Sequence, residues 1–193
     1  RLYSVIKPDH VRNPKVVLYN ESLADDLGLN FDDEASIANI FSGNEIVSET
    51  TLFSQSYSGH QFGYFTKLGD GRAVILGELF HNNKRFDVQL KGSGRTPYSR
   101  NGDGKATLYS MLREYLISEA MYFLGIPTTR SLAVIANDEK VVRESVHRGA
   151  ILTRIAQSHI RIGTFEQVAV LNNKRLLQEF TDYTIRRHYP DLI

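Results

Sequence analysis

One lysine in this chain sits where phosphate chemistry is possible. Lys91 closes a short run, Phe86 to Leu90, in which Val88 and Leu90 alternate with Asp87 and Gln89. Gly92 and Gly94 follow at once, leaving backbone N–H groups free to cup an anion beside a compact, mobile ammonium. A lysine held in an occluded cleft needs a carboxylate partner, since an unpaired buried charge costs on the order of 3–5 kcal/mol. Glu114 and Glu119 can each supply it. Glu119 projects from an apolar helical stripe and Glu114 from a face that a cleft can use, but helix geometry alone does not choose between them. Arg72, Arg100, Arg154 and Arg161 are candidates for bidentate contacts to phosphate oxygens.

Other chemistries find less support. Lys105 follows Gly104, but Ser99 and Ala106 stand where the Walker pattern needs glycine and a hydroxyl. Gly69-Asp70-Gly71, Gly92-Ser93-Gly94 and Gly102-Asp103-Gly104 each begin a dinucleotide fingerprint, and each fails at its sixth position, on Val74, Pro97 and Thr107. No G-x-S-x-G occurs. His60 and His159 lack neighbours at metal-ligand spacing and read as hydrogen-bonded structural residues. A net charge of +1 with interspersed signs argues against a nucleic-acid partner. There is no cysteine for a disulfide or a thiolate metal site, and no apolar run long enough to cross a membrane.

Several elements must position these side chains. Ala73 to Phe80 and Phe86 to Lys91 read as an antiparallel hairpin around His81-Asn82-Asn83-Lys84, entered through the tight turn Gly69-Asp70-Gly71. A helix is expected from about Ala106 to Leu124, with Leu108, Met111, Leu112, Tyr115, Leu116, Ala120 and Phe123 on its apolar stripe and Ser118 opposite. Gly125 and Pro127 end it. Ser131 to Ala136 and Lys140 to Glu144 read as a second hairpin around Asn137-Asp138, with Ala150 to Ile155 as a further strand. Short helices are expected after Asn20 and at Asp33 to Phe41, and two more at Thr164 to Val170 and Lys174 to Tyr189. The fold class is α+β, a mainly antiparallel sheet with one long helix after the lysine strand. With 41% hydrophobic residues the 193-residue chain can fill one core. It opens on Arg1 and stops soon after a helical pattern, and is read as a fragment of a longer protein. Strand, lysine, polar loop and glutamate-bearing helix is the order in which kinase-like folds hold a nucleoside triphosphate.

Five strings together carry a more specific resemblance: SGHQFG (Ser58 to Gly63), LGDGRA (Leu68 to Ala73), DVQLKGSGRTPYSRNGDGKA (Asp87 to Ala106), REYLISEAMYFLGIPTTRSL (Arg113 to Leu132) and LTRIAQSHIRIGTFE (Leu152 to Glu166). In this order they resemble the selenoprotein O family, kinase-fold proteins that transfer AMP from ATP to protein hydroxyls. Ser58, where alanine is common, and Tyr64 to Lys67 depart from the usual wording. The resemblance implies a kinase-like N-lobe over residues 51–163, preceded by a wrapping segment (1–50) and followed by the helical start of a C-lobe (164–193). It implies that Lys91 binds phosphate with Glu114 as its helix partner. It further assigns nucleotide contacts to Gly69, Gly71, Arg72, Asp103, Gly104, Arg154 and Arg161. In that family ATP lies reversed relative to ordinary kinases, leaving the α-phosphorus open to an incoming hydroxyl. The implied cofactor is ATP with Mg2+ (Mn2+ possible). The catalytic aspartate and the metal ligands are expected downstream, so the 193 residues alone are expected to be inactive. Client proteins are the implied partners, and the implied location is cytoplasmic, or mitochondrial in a eukaryote. The alternatives are a non-catalytic nucleotide-sensing or interaction module of the same shape, and a uridylyltransferase on the same scaffold.

Overall fold

A computed structural model describes residues 2–47 and 50–193; Arg1, Ser48 and Glu49 of the expected wrapping segment lie outside the described residues. Nine strands occur among the described residues: β1 (Tyr3–Val5), β2 (Lys15–Tyr19), β3 (Phe53–Gln55), β4 (Ser58–Gln61), β5 (Tyr64–Lys67), β6 (Ala73–His81), β7 (Lys84–Lys91), β8 (Arg130–Val142) and β9 (Val146–Ala156). Seven form one sheet in the order β1-β3-β6-β7-β9-β8-β2, every pair antiparallel, while β4 and β5 form a separate hairpin. The helices are α1 (Glu21–Asp26), α2 (Glu34–Ser42), α3 (Leu108–Phe123), α4 (Ile162–Val170) and α5 (Lys174–His188). The expected α+β class and the long helix after the lysine strand are found. Strand β2, which the sequence pattern did not suggest, pairs with β8.

Period-two alternation builds cores on both sides of the sheet, a small one of Val11, Leu90 and Ile151 among them. Ile135 and Ile155 join Leu23, Leu27 and Phe41 of α1 and α2, whereas Val134 and Leu152 meet Met111 and Leu112 of α3. The α3 face therefore receives alternate residues of β7 and β9, including Lys91 and Arg154.

Two expectations need correction. Asn137-Asp138 is not a turn: β8 runs on to Val142, and its hairpin with β9 closes around Arg143–Ser145. The Asn137 carboxamide accepts from Glu139 N at 3.0 Å, so a side chain satisfies the local backbone and the irregular register between Ala136 and Lys140 stays within the strand. The apolar stripe of α3 also fails in its second half. Leu116 and Phe123 are exposed, as is Ala120, while Ser118 and Glu119 are buried. The cause is polar: Glu119 meets Arg130, Ser131 N and Asn20, and Ser118 bonds the Ser131 hydroxyl at 2.7 Å. Charge-assisted bonds to β8 set the rotation of this end of the helix.

Candidate nucleotide site

Because β7 alternates, Asp87, Gln89 and Lys91 share the face that looks toward α3. α3 starts where Thr107 caps Ser110 N, and 1.5 Å of rise per residue carries Glu114 up to the end of the lysine strand. Lys91 Nζ donates to both carboxylate oxygens of Glu114 at 2.6 Å, and Arg154 Nη1 reaches Oε1 of the same carboxylate at 3.4 Å. Glu119, on the buried side of α3, is taken by Arg130 instead. The Lys91 side chain is 19% exposed and that of Glu114 29%, so the pair is sheltered yet open on one side. Burial lowers the Lys91 pKa and the Arg154 charge lowers it further, while Glu114 opposes both.

A second buried network adjoins the first. Gln89, fully buried, accepts a hydrogen bond from Arg154 Nη2 and donates through Nε2 to Asp70 Oδ2 at 3.2 Å. Asp70 also accepts from Gln55 N at 3.3 Å and lies 3.9 Å from Arg161 Nη2. Burial raises the Asp70 pKa against the pull of Arg161. The Arg161 guanidinium stands 4.7 Å over the Tyr57 ring, at the N-terminus of α4, where the helix dipole favours an anion. Further along β7, Asp87 is held by Arg187 at 2.5 Å and by His159 N at 2.8 Å. Burial would raise its pKa, but His159 and Arg187 bring it below the usual carboxylate value. Burial in turn keeps the His159 imidazole pKa low.

The glycine-rich turn and the long loop close on each other beside the lysine. Gly92 N donates to Arg72 O at 2.7 Å, and Ser99 Oγ to Gly71 O at 2.5 Å. Gly69 has a φ of +79°, and a Cβ on Gly71 would stand 2.7 Å from the Tyr98 carbonyl, so neither glycine can carry a side chain here. The Arg72 side chain is exposed, with its charge acting on Lys91. Asp103 and Gly104, at the C-terminal end of the loop, fold back against its start, where Gly94 N donates to Gly104 O at 3.1 Å. There Asp103 binds Arg143 at 2.8 Å, which lowers its pKa to about 2, and Gly104 abuts Gly94. Arg100 is exposed and donates to Gln61, and His60 meets Phe65 edge to face.

The structure thus brings Lys91, Glu114, Arg154, Arg161, Gly69, Gly71 and Arg72 to one region, sets Gly104 against Gly94 just beyond the lysine, and engages Asp103 and Arg100 with Arg143 and Gln61 instead. Sequence reasoning passed over Asp70, Gln89 and Tyr57. The available signal was the alternation that puts Gln89 on the lysine's own face. Around the lysine, Arg72, Arg154 and Arg161 add three charges to its own, against the two carboxylates Glu114 and Asp70. This surplus suits a polyanion. Cavities flank the network. One of about 340 Å3 begins at Gly92, on the Val11 side of the sheet, and one of about 830 Å3 between β6 and α5 reaches Asp87. Among the described residues, no three His, Asp or Glu side chains could hold a metal ion together, and no helix is long and apolar enough to cross a membrane.

Lys91, Arg154 and Arg161 thus gather around the carboxylates of Glu114 and Asp70, and comparison with known proteins gives the class. The chain belongs to the family described as protein adenylyltransferase SelO, whose family model matches residues 1–193. It is 54% identical over 194 residues to a protein of Nitrosococcus oceani named protein nucleotidyltransferase YdiU, an alignment covering 99% of this chain and 39% of that one. Proteins of the same name from Clostridium botulinum and Halalkalibacterium halodurans are 56% and 55% identical, covering 97% and 99% of this chain and 39% of each relative. The chain therefore spans about two fifths of the length of these relatives.

Proposed function

We propose that this chain is the nucleotide-holding part of a protein adenylyltransferase that moves AMP from ATP to a Ser, Thr or Tyr hydroxyl of client proteins. The observation that carries the reading is the Glu114 carboxylate, gripped by Lys91 through both oxygens and shared with Arg154. A lysine fixed in this way presents its remaining N–H to phosphate at a defined point, and guanidinium groups beside it take up charge as it develops. The sheet order β3-β6-β7-β9-β8, with α3 between β7 and β8, supports a kinase-like N-terminal lobe over residues 51–163, with 1–50 wrapping it and 164–193 leading into a second lobe.

In the reaction, the hydroxyl oxygen of the client bonds to the α-phosphorus of ATP, its proton departs, and the bond to the β-phosphate oxygen breaks to release pyrophosphate. Lys91 and Arg154 orient the phosphates, Arg161 neutralises charge, and the turn Gly69–Arg72 lies against them. Asp103 and Gly104 border the nucleotide from the loop that returns to Gly94. The nucleotide would come with Mg2+ (or Mn2+), whose ligands we place in the part of the longer relatives that this chain does not cover.

The test is transfer of label from α-labelled ATP, with α-labelled UTP beside it, by the full-length protein and its Lys91→Ala variant. Labelling from ATP that falls by about 100-fold or more in the variant is expected. Undiminished labelling by Lys91→Ala removes the lysine from the mechanism, and labelling from UTP alone makes the enzyme a uridylyltransferase. The 193 residues alone are expected to bind nucleotide and transfer nothing.

A further inference from the structure

We propose that Asp70 and Gln89 are positioning residues that hold Arg154 and Arg161 in the orientation needed to receive a triphosphate. The inference rests on the nucleotide-site reading above and extends it to two side chains that touch no phosphate themselves. Gln89 is fully buried between a guanidinium and a carboxylate. Arg154 only donates and Asp70 only accepts, so the residue between them must accept at one end and donate at the other. A glutamine carboxamide does both, with its acceptor and its donor on one short planar group. Its carboxamide orientation is therefore fixed by its partners: Oε1 toward Arg154, Nε2 toward Asp70.

Asp70 is anchored in turn by its backbone. Its N–H donates to Gln55 O at 2.8 Å, and its carbonyl accepts from Thr96 Oγ1 at 2.7 Å. The turn glycines on either side let the chain bring this carboxylate inward. From there, Asp70 faces Arg161 on one side, while Tyr57 supports the flat of the same guanidinium. The side chain of Arg161 remains 39% exposed, so one edge is braced and the other is available to a ligand. Arg154, only 12% exposed, has Nη1 on Glu114 and Nη2 on Gln89, so its guanidinium is held from two sides. Preorganised cations of this kind need not be ordered when the anion arrives, and that is where their advantage lies.

Two substitutions separate positioning from simple charge balance. Asp70→Asn removes a negative charge near the phosphates. If charge alone mattered, ATP would bind more tightly; if Asp70 positions the arginines, ATP binds more weakly. Gln89→Met keeps length and volume but loses both hydrogen bonds. In the full-length protein we expect each variant to weaken ATP binding by about 10- to 100-fold, as measured by calorimetry, with adenosine affinity changed by less than about 2-fold, because a nucleoside does not meet the arginines. Far-ultraviolet circular dichroism and the melting temperature report whether each variant is folded. Should Gln89→Met be unfolded, Asp70→Asn alone decides, since its side chain keeps the size and an acceptor oxygen. Unchanged or tighter ATP binding by Asp70→Asn, or an equal loss for ATP and adenosine, overturns the proposal. Arg154→Ala is the control for the underlying reading: if it leaves ATP affinity unchanged, the nucleotide-site reading fails. If Arg154→Ala weakens ATP binding and the two test variants do not, only the positioning role fails.

Discussion

Removing the carboxylate of Glu114 should destabilise the protein more than removing the ammonium of Lys91. Glu114→Gln leaves Lys91 and Arg154 facing each other with no anion between them. Lys91→Met leaves Glu114 with Arg154 still 3.4 Å away. It also removes an ammonium whose pKa is already lowered, first by burial and then by Arg154. The size of the effect follows from exposure. A fully exposed pair contributes about 0–1 kcal/mol, and breaking a buried one costs about 3–5 kcal/mol. With side chains 19% and 29% exposed, the pair lies nearer the buried limit, so Glu114→Gln should cost about 2–3 kcal/mol. In a chain of this size that lowers the melting temperature by about 5–10 °C. Lys91→Met should cost about 1 kcal/mol, and a double-mutant cycle should return a coupling of about 2 kcal/mol. Urea denaturation of the four proteins without nucleotide, with unchanged m-values as the control, measures all three quantities. A coupling below about 0.5 kcal/mol, or a Lys91→Met variant less stable than Glu114→Gln, refutes the charge-sharing argument.

Other consequences follow from neighbouring features. Glu119→Gln should cost about 2–4 kcal/mol, because the Arg130–Glu119 pair is buried at 14% and 10% exposure, yet it should leave ATP affinity within about 2-fold; denaturation and calorimetry read the contrast with Glu114. Gly104→Ala should destabilise by about 2–4 kcal/mol, since its φ is +71° and a Cβ there would overlap the Gly94 carbonyl. Faster proteolysis within residues 92–107 would report the opened loop. For His159 the folded pKa lies below the ordinary 6.5, because burial disfavours the imidazolium. The unfolded state then binds the extra proton first, so the contribution is full above about pH 6.5 and is lost as pH falls through the folded pKa. A melting temperature that declines as pH falls below about 6.5, less steeply in His159→Gln, is the expected result.

The residues of this chain determined much of its arrangement without coordinates. Alternation in Phe86–Lys91, the Asn82-Asn83 turn and the break at Gly125 are local signals written in backbone preference, and they located β7, its hairpin and the long helix. The loop wording around Lys91 and Gly104 carried the family, which the match over residues 1–193 then showed. Which glutamate meets the lysine was beyond the reach of periodicity. Glu114 and Glu119 are five residues apart on one helix, and the choice depends on how that helix is rotated against β8, where Arg130 and Ser131 wait for a carboxylate. The same holds for Asn137, whose own side chain closes a backbone hydrogen bond and so lets a strand continue through a sequence that looks like a turn. Alternation places Gln89 on the lysine's face, but its link from Arg154 to Asp70 became visible only when β6, β7 and β9 were brought side by side, because a buried polar residue is defined by partners distant in sequence. Local preference fixed the elements; long-range pairing of charges and hydrogen bonds decided which side chains share the site.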